Sequence, residues 1–181
     1  MGMTVLQLPG GEIQPAMKTG LIDAAEFNNP SSDKNFGMQD VSKFYSLGSF
    51  HQSQEMFEIT FNTKKFNSLS KQHQSILRIA AEAANSDNYW YALKRYSDDL
   101  NKLVKESGVN PFPTPKDILA EQMKSWDKVV ADFSAKDPLF KRIVESQKAY
   151  AKSVMKYLFM NQPDYTIAYR QYFGDPSKVV I

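Results

Sequence analysis

The sequence predicts an α/β lobe in which a small mixed sheet is covered by long α-helices. Two contrasting patterns carry that prediction. Residues 56–61 alternate Phe57, Ile59 and Phe61 against Glu58 and Thr60, the two-residue period of a half-buried strand. From Ser70 onward, Ile76, Ile79 or Ala80, Ala83, Trp90, Leu93, Leu100 and Val104 recur at three-, four- and seven-residue spacings, which is the period of a helix. A strand-rich beginning followed by a helix-rich end makes helices pack on a sheet.

Taken in order, residues 4–8 are β-prone and Pro9-Gly10-Gly11 breaks them. Residues 12–19 then predict a short helix with Gly20 as its stop. Residues 21–27 form a second short apolar stretch, closed by the turn-rich Asn28-Asn29-Pro30-Ser31-Ser32-Asp33. The helix from Ser70 runs to Gly108, roughly 37 residues and about 55 Å at the α-helical rise. Asn85-Ser86-Asp87-Asn88 disfavours a helix interior and predicts a kink there. Pro111 and Pro113 restrict residues 109–114 to extended chain or loop. Thr114, with Pro115 at the first position and Asp117 beyond, predicts a capped helix whose stripe is Leu119, Met123, Trp126, Val130 and Phe133. Asp137-Pro138 repeats the start signal for a helix lined by Phe140, Ile143 or Val144, Ala151, Val154 and Leu158. Residues 161–181, with Pro163, Gly174 and Pro176, predict a tail laid over another surface. The chain therefore reads as one domain, with a strand-rich region at residues 1–69, long helices over residues 70–160 and a tail at residues 161–181.

Chemistry is sparse. A net charge of +2 gives no basic footprint for nucleic acid. The absence of cysteine removes disulfides, thiolate metal sites and a cysteine nucleophile. No apolar run approaches the roughly 18 residues of a membrane span, and no export signal is recognisable in the chain. His51 and His73 lack zinc-ligand spacing, no glycine cluster has phosphate-loop spacing, and no serine sits in a GxSxG elbow. The chain is not expected to be an enzyme. Tyr89-Trp90-Tyr91 lies in a helical stripe and reads as packing, while Lys141, Lys148, Lys152 and Lys156 read as a solvated face. Two clusters have the composition of a polar ligand site: Glu26 with Phe27 and Asn28, and His51-Gln52-Ser53-Gln54-Glu55. The plain alternative for the first is an ordinary strand-end cluster, and for His51 a surface histidine.

Leu8-Pro9-Gly10-Gly11-Glu12-Ile13, then Lys18-Thr19-Gly20-Leu21-Ile22-Asp23-Ala24-Ala25-Glu26, then Phe61-Asn62 before a long helix form an ordered set. That set resembles the second half of TRAP-type (tripartite ATP-independent periplasmic) solute-binding proteins, in the branch that binds 2-oxo acids and related carboxylates. The resemblance implies one lobe of a periplasmic-binding-protein-like fold, a small organic acid as ligand, docking on TRAP membrane permease subunits, and a periplasmic location. It places Glu26 on the family's acidic position and Phe27 where that branch commonly has tryptophan. It further implies that the Glu26 carboxylate and Phe27 carbonyl help hold a cation, sodium or calcium, that bridges to the substrate, as suits hard-ion chemistry. Gln52 falls where the family has a second glutamate. Its amide oxygen can coordinate but carries no charge, so cation binding is expected to be weakened or lost. Asn28 and His51 are expected to face the same cleft.

Family members begin with an export signal and a first lobe, whereas Met1 here falls inside the second. The resemblance therefore implies a truncated lobe, weak capture by half a cleft, and self-association as a homodimer over the exposed surface. Two alternatives remain: a self-associating interaction protein that has lost its ligand, and an enzyme using His51 with Glu55 or Glu26.

Overall fold

The computed structural model describes residues 1–52 and 58–176. Its elements in chain order are α1 (Gly10–Thr19), α2 (Pro30–Asn35), a 3-10 turn (Met38–Asp40), β1 (Phe44–Leu47), α3 (Thr63–Ser68), α4 (Lys71–Ser107), β2 (Asn110–Pro113), α5 (Lys116–Lys136), α6 (Pro138–Asn161) and α7 (Tyr165–Phe173). They fall into two compact units. One holds α1 to α4, and the other holds α5 to α7. Both strands pass from one unit to the other, with Phe44, Tyr45 and Asn110 in the first and Ser46, Leu47 and Pro111 in the second.

The α/β expectation holds, but the sheet is a parallel pair rather than a mixed sheet. Asn110 N–H donates to Lys43 O at 2.7 Å and Thr114 N–H to Leu47 O at 3.0 Å. Both bonds join residues 67 apart (110 − 43 and 114 − 47), a constant offset that only parallel strands give. Pro111 and Pro113 have no N–H to donate, so β2 pairs through the residues between and around them. The strand expected at residues 56–61 is not formed where it can be seen. Glu58 to Phe61 are irregular and exposed, with Met56 and Phe57 outside the described residues. Residues 4–8 are likewise irregular. Alternation there had no sheet face to be buried against.

Helices follow the sequence more closely. Gly20 ends α1 at φ 75°, the left-handed geometry in which glycine carries no side-chain clash. Ser70 caps α4 by accepting from His73 N–H, and Gly108 stops it at φ 66° with its N–H on Val104 O. Asp137 accepts from Leu139 and Phe140 N–H and starts α6 as expected. Two expectations need correcting. The α4 helix runs unbroken through Asn85 to Asn88, because their side chains are exposed and do not compete for the backbone. Thr114 does not cap α5. Its hydroxyl lies 2.8 Å from Ser46 Oγ and its N–H bonds β1, leaving Pro115 at the cap without a side-chain bond. Within the tail, Tyr165–Phe173 forms an exposed helix capped by Asp164.

The α4 unit buries Ala16, Leu103 and Val109 beside the polar Ser31, Asp33, Gln74 and Asp99. Here α2 packs on the C-terminal end of α4. Along the earlier turns of α4 the apolar stripe stays open: Ile76, Ile79, Leu93 and Trp90 are exposed, Trp90 to 69%. Tyr89 and Tyr91 are exposed too, so that trio is not core packing. In the other unit α5 packs on α6, with Val130 buried and Phe133 and Phe140 in ring contact at 5.5 Å. Phe140, Val144, Val154 and Leu158 form the half-buried face of α6, while Lys141, Lys148, Lys152 and Lys156 are solvated as expected.

Candidate functional site

The segment carrying Glu26, Phe27 and Asn28 lies in the α4 unit and hangs from the N-terminus of α2. Asn29 is the cap of that helix: its side chain accepts from Ser31 and Ser32 N–H, and Ser32 Oγ accepts in return from Asn29 N–H at 3.3 Å. Pro30 occupies the first turn, where a missing N–H is harmless. Asp33, buried in the same turn, reaches back to accept Asn28 N–H at 3.2 Å and also takes the Tyr45 hydroxyl at 2.6 Å. The backbone of the 26–28 segment is thereby tied to α2 and, through Tyr45, to β1.

Helix α2 is in turn fastened to α4. Ser31 Oγ donates to Asp99 Oδ2 at 2.6 Å and Lys34 Nζ pairs with Asp99 Oδ1 at 2.9 Å. Arg95 and Lys102 approach the same carboxylate at 3.5 and 3.8 Å. The hydrogen bonds from Ser31 and Lys34 hold the Asp99 carboxyl down to about 2. Asp33 moves the other way: burial pushes its carboxyl up, partly offset by the Tyr45 hydroxyl and the Asn28 and Asn29 amides. Burial, then the Asp33 partner, push the Tyr45 phenol up as well. One carboxylate in this cluster is secured as an anion while its neighbour is resisted as one.

Glu26 is exposed, as is Asn28, whose Oδ1 accepts from Asn29 Nδ2 at 2.9 Å. The Phe27 ring turns inward. It contacts the Phe36 ring at 4.9 Å and covers Gly10, where an added Cβ would lie 3.4 Å from Phe27 Cε2. The atom expected to ligate a cation is the Phe27 carbonyl, not the ring, and ring packing fixes the backbone that presents it.

His51 and Gln52 belong to the other unit, on an exposed turn after β1. That turn is held by α5. Gln122 Oε1 accepts Phe50 N–H at 3.1 Å, and Gln122 Nε2 donates to Ser49 Oγ at 2.7 Å. Ser49 Oγ is also 2.7 Å from His51 Nδ1. The candidate residues are thus brought together in two groups, one in each compact unit. Ser53, Gln54 and Glu55 of the second sequence cluster lie outside the described residues.

Ser49, Gln122, Asp33 and Asp99 escape a reading by sequence spacing, because their partners lie 68 to 73 positions away or on unrelated elements. The one local signal was Asn29-Pro30-Ser31-Ser32, which spells a capped helix start as readily as a turn.

A cation would find two hard oxygens on adjacent residues, the Glu26 carboxylate and the Phe27 carbonyl, which fits a portion of a calcium or sodium shell. Among the described residues no three His, Asp or Glu side chains gather into a metal cluster. Nor is any helix among them long and apolar enough to cross a membrane.

Comparison with known proteins matches residues 1–137 to the model of the bacterial extracellular solute-binding proteins, family 7. A monocarboxylate 2-oxoacid-binding periplasmic protein of Nostoc sp. is 29% identical over 167 residues, which is 91% of this chain and 45% of that protein. The crystal structure of a TRAP periplasmic solute-binding protein from Colwellia psychrerythraea, with bound calcium and pyruvate, superposes with a TM-score of 0.76 at 27% identity. The match covers 92% of this chain and 49% of that one. The chain spans about half the length of these relatives.

Proposed function

Because this chain belongs to the bacterial extracellular solute-binding proteins of family 7, we propose that it serves as a receptor lobe for a small 2-oxo or hydroxy acid. Membership makes it one of a family of binding proteins rather than enzymes. The observation that carries the substrate class is similarity along nine-tenths of the chain to proteins named for 2-oxoacid binding and for bound pyruvate. In this reading Glu26, Phe27 and Asn28 are the ligand residues of one unit, and His51 and Gln52 are those of the other. The Glu26 carboxylate and the Phe27 carbonyl would supply two oxygens to a sodium or calcium ion, whose positive charge would meet the acid's carboxylate. With a single formal negative charge between these two groups, the ion is held more weakly than at a site with two carboxylates. Delivery to TRAP membrane permease subunits and a periplasmic location complete the reading.

Thermal-shift and calorimetric titration of the full chain with pyruvate, other 2-oxo acids and lactate, with and without calcium or sodium, tests it. An acid that binds only the folded chain stabilises it by about 2.7 kcal/mol at a hundredfold excess over Kd. No shift with any of these acids would overturn the reading.

A second reading, a self-associating protein on the same fold, is favoured by the apolar surface at the end of α6 and on α7. Phe159, Met160, Tyr172 and Phe173 are each more than 70% exposed. Light scattering separates the two readings: a homodimer that persists on dilution and ignores every acid supports the second.

A further inference from the structure

We infer that Gln122 and Ser49 form a directional hydrogen-bond relay that fixes the neutral His51 ring with its proton on Nε2, making that nitrogen a donor for a carboxylate ligand. The inference deepens the receptor reading and rests on it for the identity of the ligand.

The polarity follows from one group that can only donate. Phe50 N–H is directed at a side-chain atom of Gln122 at 3.1 Å, so that atom is the carbonyl oxygen Oε1. The other end of the amide, Nε2, is then the atom 2.7 Å from Ser49 Oγ, and it is a donor. Ser49 Oγ accepts there and also from His51 N–H at 3.4 Å, so both its lone pairs are engaged and its single proton is left for its other short contact, His51 Nδ1 at 2.7 Å. A nitrogen that accepts from a hydroxyl carries no proton, so in the neutral ring the proton resides on Nε2. Each link is set by the one before it, starting from a main-chain amide.

The arrangement has a chemical use. An exposed neutral histidine alone interconverts between tautomers, and one tautomer presents a lone pair to an approaching anion. Here the acceptor nitrogen is occupied by Ser49, and only the donor remains for a ligand. Gln122 and Ser49 touch no ligand in this scheme; they are positioning residues, and the donor is His51.

Long-range 1H–15N correlation of the His51 ring, at about pH 9 where an ordinary imidazole is neutral, reads the tautomer directly. Wild-type protein is expected to show a protonated Nε2 and a bare Nδ1. Gln122→Glu changes one atom of the relay. A carboxylate still accepts Phe50 N–H but cannot donate to Ser49, so Ser49 turns its proton to Glu and His51 must donate from Nδ1. The tautomer should invert. Ser49→Ala should leave a mixture. With pyruvate as the probe, Gln122→Glu and His51→Ala should lose affinity about tenfold, the scale of a hydrogen bond to a charged group, whereas Ser49→Ala should lose only about twofold, in proportion to the donor tautomer it retains.

A wild-type ring protonated on Nδ1, or Gln122→Glu spectra matching wild type, would overturn the relay whatever binds. The expected tautomer with His51→Ala binding pyruvate as tightly as wild type would overturn the donor role and leave the receptor reading intact. If no acid binds the wild-type chain, the receptor reading and the ligand half of this inference fall together. The spectra still decide the relay.

Discussion

Ser31 Oγ donates to Asp99 Oδ2 across 2.6 Å although 68 positions separate the two residues. This bond, with the Lys34 pair, joins α2 to α4 at a carboxylate only 8% exposed. Removing the carboxylate strands a buried hydroxyl and a partly buried ammonium. Asp99→Ala is expected to cost about 3 kcal/mol in urea unfolding, and Ser31→Ala about 1 kcal/mol. A loss below about 0.5 kcal/mol for Asp99→Ala would mean that α2 is held by something else.

The two buried carboxylates impose opposite pH dependences. Asp99 is held at about 2, below its ordinary value, so its stabilising contribution is present above about pH 4 and is lost as the pH falls toward 2. Asp33 is pushed up, so its contribution is present below its ordinary value and is lost as the pH rises through the raised one. Urea midpoints measured across this range should therefore fall less steeply with acid in Asp99→Asn than in wild type. In Asp33→Asn they should fall more steeply in the window above about pH 4. Equal slopes in all three proteins would contradict the assignment.

Gly108 terminates α4 at φ 66°, with its own N–H on Val104 O and Val109 N–H on Leu103 O. The site beside it is open, so an added methyl group meets no neighbour and only backbone strain is at stake. Gly108→Ala should destabilise the protein by about 1 kcal/mol, read as a lower unfolding midpoint with an unchanged denaturant slope.

Local signals were legible wherever a residue acts on its own backbone. Gly20, Ser70, Gly108 and Asp137 bound the helices as their chemistry dictates, and Glu26 to Asn28 were recognisable as a polar segment. What the sequence concealed was partnership. Thr114 has the composition of a helix cap, yet the β1 backbone and Ser46 compete for it and win. Trp90 and Ile79 lie at helical spacing, but spacing does not say whether a second surface covers them. Gln122 carries no motif at all, and its importance arises only because α5 brings it against residues 49 and 50.

The unbroken course of α4 through Asn85 to Asn88 makes these residues ordinary exposed helix positions. Asn88→Ala should then raise stability by about 0.5 kcal/mol, the difference in helix propensity, with an increase in far-ultraviolet helicity or none. A decrease in either quantity would indicate a break at this point.

The hydrogen bonds that join distant stretches of chain share one property. Lys43 with Ser107, Lys34 with Asp99, Leu47 with Thr114, Ser31 with Asp99, and Phe50 with Gln122 are separated by 64, 65, 67, 68 and 72 residues. All of them span the same excursion through α3 and α4. Bringing the two ends of that excursion together during folding carries a single loop-closure entropy, which grows only logarithmically with length. Once the first of these contacts forms, the others follow at little further entropic cost. The parallel ribbon, the Asp99 cluster and the Gln122 clamp therefore all close nearly the same length of chain, and the entropic cost of that closure is shared among them rather than carried by each alone.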